Sequence, residues 1–545
     1  MKPLYLNYCS EELDEKGCIR SFSLHVPKYF NFANDVVDVI AQQEPDKTAL
    51  IWRDHKGREE IFSFLYMSKA SARAANYLTK QGIRRGDRVL LLLRRHFEYW
   101  YTLLALHRIG AVAIPASYML REEDLIYRIQ SASIKAIVCT EDSEVTGAVT
   151  AASAKCGLEQ KFTVRQDCPG FLRLDTGMEK ESDKFSRKVI PSTDPMIMYF
   201  TSGTTGYPKA VVHNYGYPLG HIPTAKYWQN TENNGVHLSV ADTGWAKASW
   251  GKIYGQWLCG SAVLVYDYIN FNPGDLLEVA ANYKVCSFCA PPTFYRFLVK
   301  SGLKNYNFST LHSVSTAGEA LNPDIFRKFQ EHTGLEIKEG YGQTETTLII
   351  GNFQGEKSRE GSMGKPSPLY RVQIVDEEGQ PVPQGETGEI VILPNPAGNF
   401  GLMDHYDKDP EATEEIWKNG MYHTRDLAYQ DKDGYIWYVG RTDDVIKSCG
   451  YRISPFEVEN VLIQHPAVFE CAVTGIPDAE RGFAIKATVV LQPGYEGTRN
   501  LTRQLQKFVK ESTASYKYPR IIEYVPVLPK TDSGKIQRFR LRKTE

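Results

Sequence analysis

The sequence predicts an α/β protein in two parts: a large N-terminal domain of α/β sheets with helices plus a small β-rich subdomain, and a smaller α+β C-terminal domain. Three observations predict it. Helical and strand patterns alternate from Phe62 to Phe200, as in a sheet covered by helices. After Gly364 short strands separated by turn clusters take over. A fresh helix start at Ser454-Pro455 then opens a last α/β stretch.

Residues 62–81 carry Leu65, Ala70, Ala74 and Leu78 at helical spacing, and 88–93 read as a buried strand. Residues 103–107 read as a second helix, followed by apolar strands at 111–114 and 134–139. The runs 196–200 and 210–212 are strands on either side of a polar loop, and 262–266 is a strand of the next stretch. Short strands at 372–375, 388–392 and 434–438 alternate with turn clusters at 376–379 and 431–434. Ser454 as cap, Pro455 at the first helical position and Glu457 three residues after the cap mark a helix N-terminus. Strands at 470–473 and 485–490 and a helix at 501–510 complete the chain. The boundary is set at Gly440-Arg441, giving domains 1–440 and 441–545.

Lys plus Arg number 64 and Asp plus Glu 65, a formal charge of −1. No global field draws such a chain to nucleic acid or an anionic membrane. The ten cysteines are scattered, and the single Cys286-x-x-Cys289 has neither a second pair nor a nearby His pair. Buried free thiols are expected rather than a metal or disulfide framework. The first seventeen residues are polar and acidic, unlike a signal peptide. No stretch approaches the ~20 apolar residues of a membrane span. A cytoplasmic protein is expected.

The most informative segment is Thr201-Ser202-Gly203-Thr204-Thr205-Gly206-Tyr207-Pro208-Lys209. Glycines let successive backbone N–H groups turn toward an anion, short hydroxyls add donors without bulk, and Lys209 supplies a full charge. Together they suit a polyphosphate. The spacing is not that of a P-loop, and a strand follows where that motif has a helix.

This loop resembles the signature of the adenylate-forming superfamily of acyl-CoA synthetases, luciferases and peptide-synthetase adenylation domains. Four further segments match in order as far as Lys535. Asp242-Thr243-Gly244-Trp245 and the run from Gly450 to Glu459 make medium-chain acyl-CoA synthetases the nearest likeness within it. The resemblance implies an enzyme that uses ATP and Mg²⁺ to activate a small carboxylic acid as acyl-AMP and then acylates coenzyme A. It implies that Gly318-Glu319-Ala320 lie along adenine, with Leu321 next. In Tyr341-Gly342-Gln343-Thr344-Glu345, Tyr341 would pack on adenine, Thr344 bond the α-phosphate and Glu345 hold Mg²⁺, a hard cation that takes carboxylate and phosphate oxygens. Asp426 would accept from both ribose hydroxyls and Arg441 would complete that site. Arg425 stands where the family usually has Gly, which puts the local backbone in question. Lys535 matches the catalytic lysine, Asp443 the hinge of a mobile C-terminal domain, and Gly450, Tyr451 and Arg452 the face that receives coenzyme A.

For the acid, Trp245, Trp250, Gly251 and Gly342 fall in segments that line the acyl pocket of relatives. Acetate-type enzymes carry Trp at the position of Gly342; glycine is expected to leave the pocket open for a medium-length or branched tail. A small aromatic acid also fits. Trp257 reads equally as pocket or core, and Lys252 as channel cation or surface residue. A peptide-synthetase domain would normally precede a carrier domain, and the sequence ends soon after Lys535 with none in cis. A luciferase-type oxygenase or an inactive binding protein are the remaining alternatives.

Overall fold

The computed structural model describes residues 3–201, 208–303, 306–319, 321–395, 398–448, 451–478, 481–530 and 536–542. The chain forms two compact units. The first takes the residues to Thr201 with Pro208–Arg371 and Pro394–Glu415; the second takes Val372–Leu393 and the chain from Ile416 onward.

Two large sheets organise the first unit. Among the described residues one has eight strands, in the order His405–Tyr406, Lys209–Asn214, Pro195–Thr201, Val112–Pro115, Arg88–Leu92, Ala136–Cys139, Gln160–Thr163, Leu172–Arg173. The other has nine, running Lys365–Pro366, Ile350–Gly351, Ile337–Tyr341, Ser313–Ala317, Ser287–Cys289, Val236–Ser239, Ala262–Asp267, Thr48–Asp54, Glu59–Ser63. Their central strands are parallel and buried, which is why they read as apolar runs without alternation. The helices Glu122–Ser131 and Ser143–Cys156 cover the first sheet through Leu125, Ile129, Val145 and Val149. Pro273–Asn282, Pro292–Lys300 and Pro323–Thr333 cover the second through Leu276, Leu298 and Phe326.

The short helix expected at 103–107 is longer, Glu98–Ile109, and every residue in it is buried. With no solvent face it lacks the amphipathic period that marks a surface helix. Its charges are neutralised in place. Glu98 receives Arg165 at 2.7 and 2.8 Å, and Arg108 reaches Asp38 at 2.8 and 2.5 Å.

Among the described residues Arg371–Val375, which leads into the second unit, forms a four-stranded sheet with Gly388–Leu393, Tyr422–Gln430 and Ile436–Arg441. It is the β-rich subdomain of the sequence; Gly440-Arg441 ends its last strand. A second sheet joins Tyr451–Ile453, Ile446–Ser448, Gly482–Leu491 and Val468–Asp478, with Ile521–Tyr524 parallel to Gly482–Leu491. The helix Pro455–Leu462 starts as predicted, Ser454 Oγ accepting from Glu457 N at 3.2 Å. The Glu457 carboxylate does not return to the cap but pairs with Lys517. Arg499–Ser512 packs Leu501, Leu505 and Val509, four apart, against Ile485, Ala487 and Val489. No described helix is long and apolar enough to cross a membrane.

Candidate active site

The strands Ser313–Ala317 and Ile337–Tyr341 are parallel neighbours, with Ala317 opposite Gly340. The segments that begin at Gly318 and Gly342 therefore leave the sheet side by side at its C-terminal edge, where open α/β sheets bind ligands. Gly318 has φ +103°, and Lys247 Nζ donates to the preceding carbonyl of Ala317. Glu319 is exposed and receives Thr293 Oγ1 at 3.3 Å. A residue that no motif flagged joins the two segments: the buried carboxylate of Glu339 accepts from Leu321 N at 3.3 Å. Burial pushes its carboxyl up to about 8, against the pull of that N–H. The sequence gives little sign of it, since Glu339 follows Lys338 in the strand and reads as one of two exposed charges.

Tyr341, Gly342, Gln343, Thr344 and Glu345 are all half-buried. The antiparallel hairpin that carries the polar loop helps to position them. Thr201 pairs with Lys209 across it, and His213 further along donates from Nε2 to Thr344 O at 2.8 Å. Burial, opposed by backbone hydrogen bonds, lowers His213 to about 4. It is thus a neutral imidazole at physiological pH with its proton on Nε2. The Tyr406 hydroxyl donates to Glu345 Oε1 at 2.8 Å, and Lys209 Nζ lies 5.1 Å from the centre of the same phenol ring and 3.7 Å from Asp409. Tyr406 thus stands between the cation that ends the loop and the carboxylate expected to hold metal. A carboxylate steered by a hydroxyl suits Mg²⁺, which takes one or two protein carboxylates and fills its shell with phosphate and water. Ser202, Gly203, Thr204, Thr205, Gly206 and Ala320 lie outside the described residues.

In the acyl segment the structure overturns one expectation and excludes one of two open readings at each of two other residues. Gly342 does not leave open space, because the Trp250 indole already lies against it: a Cβ there would be 2.5 Å from Trp250 Cη2. Lys252 is not at the surface. It is 1% exposed, and burial, reinforced by Arg95 and opposed by Asp242 and Asp267, brings it down to about 7. Trp257 belongs to the core, donating to Ala49 O at 2.9 Å and packing on Phe32 and Phe64. Trp245 is half-buried after a turn built on Asp242, whose carboxylate takes Gly244 N at 3.0 Å and Arg95 at 2.9 Å. Gly251 sits over Ser239, 2.9 Å from where its Cβ would stand.

In the second unit Asp426 is 5% exposed on the strand Tyr422–Gln430 and pairs in register with Arg441. Its Oδ1 accepts from Tyr438 Oη at 3.2 Å, and its N–H donates to Thr424 Oγ1 at 3.1 Å. Arg425 has φ +61°, which gives the family's glycine its reason. Its N–H is held by Glu389 Oε1 at 2.8 Å and its carbonyl by Thr442 N at 2.9 Å. A non-glycine residue there costs about 1–2 kcal/mol, set against the ~0.5–1 kcal/mol that glycine loses through chain entropy. Arg425→Gly is therefore expected to stabilise the protein by up to about 1 kcal/mol in urea titration, with nucleotide affinity unchanged; a loss of stability would contradict the strain.

Asp443 receives Arg441 Nε at 2.9 Å and offers its carbonyl to Arg542 at 3.1 Å. Asp444 takes Arg542 at 2.5 Å, and Arg538 grips Glu459 at 2.7 and 2.9 Å. Tyr451 stacks on Tyr516, ring centres 4.0 Å apart, at a pocket of about 100 Å³ that Ser448, Arg481, Ile485 and Arg520 also line. Aromatic faces beside two guanidinium groups suit a phosphorylated nucleotide. Arg481 and Arg520 come from different strand ends, so no local motif announces them. Gly450, Lys535 and the side chain of Arg452 lie outside the described residues. A cavity of about 360 Å³ opens elsewhere, at the N-terminal ends of strands of the eight-stranded sheet. The ion pairs Arg85–Asp194 and Arg88–Asp407 line it, and no motif residue does.

Residues 37–397 match the model of the AMP-binding enzyme family, and 457–535 match the AMP-binding enzyme C-terminal domain. The human protein "Acyl-coenzyme A synthetase ACSM3, mitochondrial" is 41% identical over 537 residues, covering 96% of this chain and 91% of its own. The crystal structure of the anthranilate CoA ligase AuaEII in complex with anthranoyl-AMP superposes with a TM-score of 0.86 at 28% identity, covering 95% and 97% of the two chains. ATP-bound MatB from Rhodopseudomonas palustris gives 0.82 at 25%, covering 93% and 98%. With both family models matched in order, over residues 37–397 and 457–535, the chain belongs to the AMP-binding enzyme family.

Proposed function

We infer that the protein is an ATP-dependent acyl-CoA synthetase. It joins a carboxylic acid to the α-phosphate of ATP, releasing pyrophosphate, and then passes the acyl group from acyl-AMP to the thiol of coenzyme A. The observation that carries this reading is the pairing of the Gly318 and Tyr341 segments on adjacent parallel strands, with Glu345 steered by Tyr406 beside Lys209. The likeness to a named acyl-coenzyme A synthetase over 96% of the chain supports it.

Charge builds on the bridging phosphate oxygens as the carboxylate attacks, so fixed cations are the main catalytic need. Lys209 and the loop from Thr201 to Gly206 cradle the β- and γ-phosphates, Thr344 bonds the α-phosphate and Lys535 is the catalytic cation. Glu345 would hold Mg²⁺, which when bound would neutralise phosphate charge. Gly318, Glu319, Ala320, Tyr341, Gly342 and Gln343 surround adenine, and Asp426 with Arg441 takes the ribose. Trp245, Trp250, Gly251 and Gly342 line the acyl pocket. The acid is aliphatic, medium-length or branched; the likeness to an anthranilate ligase keeps an aryl acid as the second reading.

The mobile domain starts after Gly440 and turns about Asp443, exchanging Lys535 for the face of Gly450, Tyr451 and Arg452, where Arg481 and Arg520 meet the phosphates of coenzyme A. Hinge residues absorb φ/ψ change without touching substrate. Asp443→Pro, which fixes φ, is expected to impair one half-reaction at least several-fold more than the other; equal loss in both would remove Asp443 from that role. Residence in the cytoplasm is part of this reading, whereas the human relative carries "mitochondrial" in its name; cell fractionation decides between them.

Pyrophosphate release with acids from acetate through dodecanoate and with benzoate, each with and without coenzyme A, tests the whole reading. Turnover is expected with at least one acid, with the thioester forming only when coenzyme A is present. No pyrophosphate from any acid would end it.

A further inference from the structure

The formal charge of −1 hides an uneven distribution. Residues 481–545 hold fourteen Lys and Arg against five Asp and Glu, a formal +9, so residues 1–480 carry −10. Part of the excess is neutralised where it stands: Lys486 pairs with Glu523, Lys517 with Glu457, Lys530 with Glu470, Arg538 with Glu459 and Arg542 with Asp444. The helix Arg499–Ser512 is different. Its apolar side is taken up by the domain's own core through Leu501, Leu505 and Val509. Arg499, Arg503, Lys507 and Lys510 are exposed, and at 3.6 residues per turn they fall within about 80° of arc along about 16 Å of axis. Among the described residues only Lys507 of these four has a carboxylate at ion-pair distance, Glu511 at 3.7 Å. The first turn holds no acid, so Arg499 and Arg503 stand at the positive end of the helix dipole, where cations are unfavourable. The stripe weakens the helix that bears it.

We propose that this stripe docks the C-terminal unit on an anionic lipid surface. The phosphates of one coenzyme A are clustered at its nucleotide end and cannot meet four cations spread over about 16 Å; a plane of headgroups can. A specific protein interface is built round a desolvated aromatic or apolar anchor and is poor in Lys, whereas the exposed residues of this helix include no apolar side chain. Each Lys or Arg near an anionic surface raises partition roughly fivefold. Four act together, and none inserts into the hydrocarbon, since the apolar side of the helix is occupied. Attachment of this kind is reversible and screened by salt. The choice of lipid also rests on the acyl-CoA synthetase reading, because an aliphatic acid collects in bilayers. Docking brings the enzyme to where such a substrate is concentrated.

The test is sedimentation of the full chain with vesicles of phosphatidylcholine, with and without one third phosphatidylglycerol, in the absence of ATP and acid. Wild type is expected to bind the anionic vesicles at low salt, to ignore the neutral ones, and to be released at ~1 M salt, where the Debye length is about 3 Å. Arg499→Glu with Arg503→Glu should lose at least about twentyfold in partition. It should fold at least as well as wild type, because carboxylates suit the positive end of the dipole; circular dichroism checks this. Arg499→Lys with Arg503→Lys keeps the charge and should stay within about twofold of wild type. Wild-type partition no greater with phosphatidylglycerol than without it overturns the proposal, as does a folded Glu variant that binds as wild type does. Retention by duplex DNA but not by the vesicles overturns it in favour of nucleic acid. Because no substrate is present, the result is separate from turnover: wild type that binds the vesicles yet makes no thioester from any acid supports the docking face and overturns the synthetase reading.

Discussion

Lys535→Ala is expected to slow acyl-AMP formation on the order of 10²–10³-fold, the loss typical of one preorganised donor aimed at developing charge. Transfer of an acyl group from supplied acyl-AMP to coenzyme A should change by no more than a few-fold, because that step has no need of the lysine. The described residues before and after it are tied to the domain. Lys530 and Ile536 bridge antiparallel, Gln537 N donates to Pro529 O at 2.8 Å, and Lys530 pairs with Glu470 at 2.5 Å. Arg538 is anchored on Glu459 immediately after. Arg538, Arg540 and Arg542 remain in the variant, so the other cations of the basic tail are kept. Pyrophosphate exchange and thioester formation, measured separately, decide it. Equal losses in both, or none in either, would return Lys535 to the solvated tail.

Asp426→Ala should weaken ATP binding and kcat/KM for ATP together. Hydrogen bonds to a charged group contribute about 1.5–3 kcal/mol each, so losing two ribose contacts costs roughly 3–6 kcal/mol, on the order of 10²–10⁴-fold. Asp426→Asn keeps the shape and one acceptor and should lie between. The side chain is already desolvated, beside Tyr438 and opposite Arg441, so little reorganisation is needed when a nucleotide arrives. Titration calorimetry with ATP gives the affinity directly. Wild-type affinity in both variants would place the ribose elsewhere.

Where structure depended on neighbours in sequence, it was legible. The Ser454-Pro455 cap, the hairpin on either side of the polar loop and the apolar parallel strands follow from spacing and turn chemistry. Of the candidate site, the motif segments themselves were legible. Contacts between distant segments were not. Nothing near Gly342 announces that Trp250 fills its recess, and nothing near Glu345 announces Tyr406. Arg481 meets Tyr451 only because separate strands and loops converge. Arg425 is a different case: the departure from glycine was visible, but only the backbone, at φ +61°, gives it meaning. The helix Glu98–Ile109 was underestimated because burial on all sides erases the periodicity by which helices are read.

That helix also governs how the first unit holds together. Trp100 Nε1 donates to Lys252 O at 2.7 Å on the side of the nine-stranded sheet, while Arg165, just beyond a strand of the eight-stranded sheet, grips Glu98 at 2.7 Å. An element whose every face is occupied has no partial docking available to it. The two sheets therefore form one cooperative folding unit around a shared internal strut. Strands of the nine-stranded sheet both precede and follow those of the eight-stranded sheet in the chain, so no single cut separates them, and the slowest amide exchange of the unit is expected in this helix.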